Sequence, residues 1–257
     1  MMVGGTASLT SCQMPARTNR TVGLLVPAYF DPNSSVTDWH ELQLAKREVP
    51  LIVVINPDSG PGGSQSPSYS EEIRTMERAG ARVLGYVHTS GGTRRASVVE
   101  AEIEHYFSWY HVDGIFIDEM ASQATAATLG YYRGIRNFIE GLDRKALTVA
   151  NPGTAFSSAF AHARTANIYV DEEDTAINVA SYHQARWELT AVKSTFAEIA
   201  VAATNDASEI STLASRNVSW IYSTTLSENP NPYQALPSDF SEEVAAVAEL
   251  NRTYRNG

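Results

Sequence analysis

Beyond Val22 the chain alternates short apolar runs rich in β-branched residues with segments whose apolar positions recur at helical spacing. The runs cover residues 22–30, 50–57, 82–89, 113–119, 146–152, 166–172, 198–203 and 218–224, and their starts lie 20 to 33 residues apart. That interval leaves room for a crossover helix between parallel strands each time. Most runs are apolar without interruption, as in Leu51-Ile52-Val53-Val54-Ile55, which is expected of strands covered on both faces. Between them, Ser97-Val98-Val99-Glu100 reads as a capping box, followed by Val99, Ile103, Tyr106 and Tyr110 on one helical face. Asp239 with Glu242 reads as a second helix start, with Phe240, Val244, Val247, Leu250 and Tyr254 as its stripe. Gly80 stands where a helix carrying Ile73 and Met76 would end. Eight β-plus-α beats predict a single α/β domain over residues 22–257, closed as a (β/α)8 barrel of TIM type. A doubly wound open sheet is the runner-up, and no G-x-G-x-x-G follows the first strand.

Composition narrows the function classes. The chain has 257 residues, 43% of them apolar, with 19 Lys and Arg against 29 Asp and Glu, a formal charge of −10. Such a charge argues against a nucleic-acid partner and is compatible with a cationic substrate. No stretch approaches the ~18 continuous apolar residues of a membrane span. Residues 1–21 are rich in Gly, Ser and Thr, lack hydrophobic periodicity, and read as a leader or flexible linker. The sole cysteine, Cys12, excludes a disulfide scaffold. It closes Leu9-Thr10-Ser11-Cys12, a small-residue pattern that can precede a lipid-modified cysteine, so any membrane contact is expected only through a lipid anchor there. The competing reading makes Cys12 an incidental residue of a tail.

In a barrel of this kind the chemistry lies at the carboxyl ends of the strands. Those ends carry Tyr29 and Asp31, Asn56 and Asp58, Tyr86 and His88, Asp118 and Glu119, Asn151, Asp171 to Glu173, and Tyr222. The set has no lysine, arginine or cysteine and no glycine-rich phosphate cradle, which argues against phosphoryl transfer, Schiff-base chemistry and a nucleotide cofactor. His88 has no second histidine at ligand spacing, so neither a metal nor a cofactor is expected. The strongest signal is Asp113-Gly114-Ile115-Phe116-Ile117-Asp118-Glu119, an apolar strand that runs into two carboxylates. Side chains alternate along a strand, so a regular strand sends only one of the two into the lumen. The run Asp171-Glu172-Glu173-Asp174 brings further acids to the same rim, of which Glu172 and Asp174 are expected to be solvated. Two carboxyl groups from different strands across one cleft are what glycoside hydrolysis requires. Tyr29, Trp39, Tyr86 and Tyr222 could stack on sugar rings, and Asn56 and Asn151 could bond hydroxyls; Trp109 and Trp187 read as packing.

Several of these pieces together resemble the spherulin-4-like proteins, glycoside hydrolase family 135. The resemblance runs from Val22 to about Thr224 and rests on Gly23-Leu24-Leu25-Val26-Pro27-Ala28-Tyr29-Phe30, Ile55-Asn56-Pro57-Asp58-Ser59-Gly60-Pro61-Gly62, Gly80-Ala81-Arg82-Val83-Leu84-Gly85-Tyr86-Val87, Trp109-Tyr110, Gly114 to Glu119, and Asn151-Pro152-Gly153. It implies a (β/α)8 barrel that cleaves α-1,4-linked N-acetylgalactosamine-containing exopolysaccharide internally, in proteins that are secreted or held at a cell surface. The family's Asp-Glu pair after the fourth strand matches Asp118 and Glu119. Its glutamate after the sixth strand matches Glu173 by spacing, while Glu172 stands where the family has an aromatic residue, so both stay candidates. The turn from Thr89 to Arg94 lacks the tyrosine often seen there. The residues and the resemblance together lead us to expect an extracytoplasmic endo-acting hydrolase, with Glu119 as general acid because it is a carboxyl at the mouth of an apolar strand beside a second carboxylate, Glu173 as nucleophile or base, and Asp118 orienting the reacting group or stabilising positive charge. An acetamido group of the substrate could itself be the nucleophile, positioned by Asp118. Tyr29, Asn56, Tyr86, His88, Asn151 and Tyr222 are the expected substrate contacts. The rival expectations are a non-catalytic surface protein that binds polysaccharide, and a hydrolase of deacetylated, cationic galactosamine polymer.

Overall fold

A computed structural model describes residues 21–205, 207–229 and 231–256. Eight parallel strands close a barrel in chain order: β1 (Gly23–Ala28), β2 (Leu51–Ile55), β3 (Arg82–His88), β4 (Gly114–Asp118), β5 (Leu147–Ala150), β6 (Ile168–Thr175), β7 (Phe196–Val201) and β8 (Trp220–Ser223), with β8 pairing back onto β1. Around them lie α1 (Val36–Glu48), α2 (Pro67–Ala79), α3 (Ala96–His105), α4 (Ala126–Leu142), α5 (Ser158–His162), α6 (Ala176–Ser181), α7 (Arg186–Thr190), α8 (Ala207–Ser215) and α9 (Phe240–Asn256). All five residues of β2 are buried because lumen packing covers one face and helices cover the other. Each such Val or Ile contributes roughly 1.5–3 kcal/mol by leaving water. The helices turn one stripe inward, Tyr132, Ile135 and Ile139 in α4 and Phe240, Val244 and Val247 in α9. The expected leader and the Cys12 anchor fall on residues outside those described, Thr21 excepted.

Local signals are met unevenly. Gly80 ends α2 in the left-handed region, φ 90°, with its N–H on the Glu77 carbonyl at 2.8 Å. The capping box expected at Ser97 does not form: α3 begins at Ala96, after Arg95, without a side-chain cap. The chain enters that helix through Arg94, whose guanidinium bonds the His88 carbonyl at 3.0 Å and the Glu102 carboxylate. A capping box does open α4, where Thr125 and Thr128 exchange side-chain and backbone bonds. Asp239 directs its carboxylate to Asn205 and Thr225 at 3.2 and 3.4 Å and so ties two loops together. Trp39, expected as a sugar platform, is 1% exposed and packs edge-on against Phe30 and Tyr69, inside the core.

The seam between β1 and β8 is narrow, with two residue pairs, Gly23 with Trp220 and Leu24 with Ile221. A Cβ on Gly23 would stand 2.5 Å from the Trp220 ring and 2.9 Å from the Pro50 carbonyl oxygen, so glycine is required for the strands to close there. The Asn251 side chain in α9 brackets the same point, accepting from the Val22 N–H and donating to the Val22 carbonyl, both at 2.8 Å.

Candidate active site

A cavity of about 380 Å³ opens at the carboxyl ends of the strands, within the range of small-molecule sites. Pro27, Tyr29, Asn56, Tyr86, Phe116, Asp118, Asn151, Glu173 and Asp174 line it, together with Glu228, Asn231, Pro232 and Tyr233 from the loop between β8 and α9. Phe116 and Tyr86 stack below and beside it, and Tyr29 sets its ring edge-on to both Tyr86 and Tyr233 at 5.4 Å.

Asp118 closes β4 and faces this cavity. It accepts from the Tyr86 hydroxyl on Oδ2 and from Asn151 Nδ2 on Oδ1, both at 2.8 Å. The same Asn151 nitrogen donates to Glu173 Oε2, and the Tyr233 hydroxyl donates to Glu173 Oε1. Two carboxylates that share one donor nitrogen lie within the reach of two hydrogen bonds, roughly 5 Å. Burial pushes Asp118 above the usual carboxylate range, opposed by its bonds from Tyr86, the Glu119 backbone and Asn151, while the Glu119 charge adds to the rise. Burial also raises Glu173, the Asp118 charge raises it further, and the bonds from Tyr233 and Asn151 oppose both.

Glu119 does not share this cavity. Directly after β4 its backbone turns left-handed, φ 51°, and its side chain is 54% exposed. The carboxylate accepts from Ser90 Oγ at 3.1 Å and lies 3.5 Å from His88 Nδ1. Its carboxylate is therefore not buried, and His88, also outside the lining, forms a rim pair with it. The turn is held by the Glu119 carbonyl, which accepts from Gly91 N–H and Thr89 Oγ1, and by Met120 N–H on the Asn151 carbonyl.

On β6 a bulge decides which acids enter. Tyr169 points outward, its hydroxyl on the Phe160 carbonyl at 3.1 Å and its ring stacked on Phe156. Regular alternation from there would turn Glu172 inward and Glu173 outward. The register instead jumps from Val170 opposite Ala197 to Glu172 opposite Glu198, leaving Asp171 as the extra residue. A one-residue shift exchanges the faces, and Glu173 enters the cavity. Asp171 is fully buried on the outer side, accepting from Gln184 Nε2 at 2.8 Å, beside Glu198, which pairs with Arg216 at 2.5 Å. Glu172, expected to be solvated, is 9% exposed, and its pKa is pushed up to about 7 by burial and the Asp174 charge. Asp174, also expected in solvent, lines the cavity.

The remaining expected contacts divide. Tyr29, Asn56, Tyr86 and Asn151 line the cavity, although Asn56 Oδ1 is committed to Gly60 N–H at 2.8 Å and Asn151 Nδ2 to the two carboxylates. Tyr222 is fully buried below, tilted against Tyr233, and cannot stack on a sugar. Tyr233 and Glu228 have no counterpart among the strand ends. They lie in the loop beyond β8, where the one available signal is an aromatic residue after the repeated Asn-Pro pairs of residues 229–232. Among the described residues, no three of His, Cys, Asp and Glu are placed to hold a metal ion.

The model of Spherulation-specific family 4 matches residues 23–247, nearly the whole barrel. The chain belongs to the Spherulin-4 family. Spherulin-4 of Physarum polycephalum is 31% identical over 259 residues, which cover 95% of this chain and 76% of that protein. Among solved structures, Aspergillus clavatus Sph3 in complex with GalNAc superposes with a TM-score of 0.79 at 26% identity, covering 89% of this chain and 98% of that one. An alpha-L-fucosidase from Paenibacillus thiaminolyticus shares the barrel with a TM-score of 0.63 at 10% identity, over 92% of this chain and 50% of its own. This Spherulin-4 family barrel thus has a glycoside-hydrolase-like fold, and its cavity is at the end of the strands where barrel enzymes place their chemistry.

Proposed function

We propose that the protein is an extracytoplasmic glycoside hydrolase that cuts α-1,4-linked N-acetylgalactosamine-containing exopolysaccharide within the chain. One observation carries this reading: Asp118 and Glu173, from two strands, share one amide donor at the base of an open cavity, which keeps their nearest oxygens within the reach of two hydrogen bonds. Carboxyls brought this close are the arrangement used by glycosidases that retain anomeric configuration. The GalNAc bound to Aspergillus clavatus Sph3 supports the sugar, and the membership of the family supports the polymer. Asp118, which accepts from Tyr86 and Asn151, serves as nucleophile or positions the substrate acetamido group. Glu173, raised by burial and by the Asp118 charge, holds the proton. In this reading the acid role expected for Glu119 passes to Glu173, and Glu119 contacts the substrate from the rim.

Acetylated α-1,4-galactosamine oligosaccharides, incubated with the protein and with its Glu173→Gln variant, test this. Intermediate-length products by mass spectrometry, with the anomeric configuration retained by NMR and nothing formed by the variant, are the expected result. Binding without cleavage by the unmodified protein would turn the reading to a non-catalytic polysaccharide-binding protein.

A second reading has its own support. Among the described residues, Asp118, Glu173, Asp174 and Glu228 line the cavity, and no Lys, Arg or His does. An ammonium-bearing, deacetylated polymer would be drawn to such a lining. Faster cleavage of deacetylated oligomers, slowed by salt, favours it; salt-insensitive cleavage of acetylated ones removes it.

A further inference from the structure

The loop between β8 and α9 brings one phenol into direct contact with a carboxyl group of the site. Tyr233 is 8% exposed, and its hydroxyl donates to Glu173 Oε1. The loop is anchored at two points and braced from within. The Tyr233 carbonyl accepts from Tyr29 N–H at 3.0 Å, its N–H donates to Asn231 Oδ1 at 2.8 Å, and Leu236 N–H reaches Asp38 Oδ2 in α1 at 3.3 Å. The ring is wedged between Tyr29 and Tyr222. A residue so held does not follow Glu173; it sets where Glu173 stands.

We propose that Tyr233 is a positioning residue for proton donation by Glu173: with Asn151 it occupies one acceptor site on each carboxyl oxygen, so that the acidic proton can sit only on a lone pair turned to the substrate. This rests on the reading of Glu173 as proton donor. In the step concerned, the proton passes from Glu173 to the glycosidic oxygen as the bond from that oxygen to the anomeric carbon breaks. The leaving sugar departs as a neutral alcohol, and Glu173 is left as a carboxylate. Tyr233 and Asn151 then stabilise the charge they already face, so both make Glu173 a stronger acid than its burial alone would allow. Glu173 recovers its proton from the water that completes hydrolysis.

The groups facing Glu173 are Tyr29 after β1, Tyr86 from β3, Asp118 from β4, Asn151 after β5, Asp174 from its own strand, and Tyr233 and Glu228 from the loop. Asp118 and Glu228 raise its pKa, and Tyr233 and Asn151 lower it. Removing the Tyr233 hydroxyl therefore moves the pKa of Glu173 upward. Catalysis that needs its protonated form then persists to higher pH, while each transfer of the proton becomes slower.

Tyr233→Phe keeps the ring between Tyr29 and Tyr222 and removes the donor alone. The expected kcat on an oligosaccharide is roughly 10- to 100-fold lower, the worth of a hydrogen bond to a charged group. The expected KM stays within about twofold, and the basic limb of the pH profile moves to higher pH. An aryl glycoside of the same oligosaccharide, whose leaving group needs little protonation, should lose under about threefold. In a Glu173→Gln background the same change should cost nothing further. An unmoved basic limb, with equal losses on both substrates and an unchanged thermal melt, would make Tyr233 a wall of the cavity and overturn the proposal. Full activity in Glu173→Gln alone would instead overturn the assignment of Glu173, which the aryl glycoside comparison leaves distinguishable.

Discussion

The ends of β4 and β6 both run into consecutive acids, and the backbone sorts them in opposite ways. At β4 the strand stays regular to Asp118, then a left-handed residue throws Glu119 outward onto the rim with His88 and Ser90. At β6 a bulge at Asp171 reverses the alternation, so that Glu173 enters the cavity while Asp171 is shut into the outer layer beside Glu198. At β4 the alternation that brings Asp118 inward already turns Glu119 out, and the positive φ carries it on to the rim; at β6 the bulge exchanges Glu172 for Glu173. The acid pair therefore owes its composition to regular alternation at one strand and a single-residue bulge at the other rather than to acid content, which is greater at β6.

The sharpest way to break this comparison is to neutralise the two acids of β4 separately. Asp118→Asn should reduce turnover about 10³-fold or more, the scale of losing an acid or nucleophile at the reacting centre, whereas Glu119→Gln should stay within about 100-fold, measured as kcat/KM on the oligosaccharide. An equal collapse in both would bring the rim carboxylate into the chemistry. Next in size is the outer layer. Arg216→Met leaves Glu198 buried without its cation and should cost about 3–5 kcal/mol at pH 8 by denaturant melts. The cost should shrink at pH 5, because the Glu198 pKa is pushed up to about 7 by burial, and the neutral acid needs no cation.

The smallest effect is a slope. Burial raises Asp171 well above the carboxylate range, assisted by the Glu198 charge, and Glu172 and Glu198 both stand near 7. Acids with raised pKa hold more protons folded than unfolded, so their contribution to stability is full at low pH and is lost as pH rises through those values. The melting temperature should fall between pH 5 and pH 8. Asp171→Asn, which can still accept from Gln184, should make that fall shallower, and an unchanged slope would show that folding does not raise the pKa of Asp171.

The strands were legible because a barrel covers both of their faces, which writes them as unbroken apolar runs such as Leu51–Ile55. Asp118 was legible for the related reason that a strand ending in an acid marks the mouth. Glu173 was not separable from Glu172 by pattern, because alternation favours Glu172 and the bulge that reverses it has no glycine or proline to announce it. Glu119 stands apart from Asp118 although the two are adjacent in sequence, because strand alternation and a positive φ turn it to the rim. Tyr233 escaped because a residue ten positions beyond the last strand has no periodicity to place it; only tertiary contacts with Tyr29 and Asp38 bring its loop over the cavity.

The narrow closure of β8 on β1, bracketed by Asn251, bears on how the molecule is made. Asn251 follows Val22 by 229 residues, so during synthesis the edge of the first strand stays without its β8 partner until the later part of the barrel has been made, and the clasp on Val22 forms only once α9 is present.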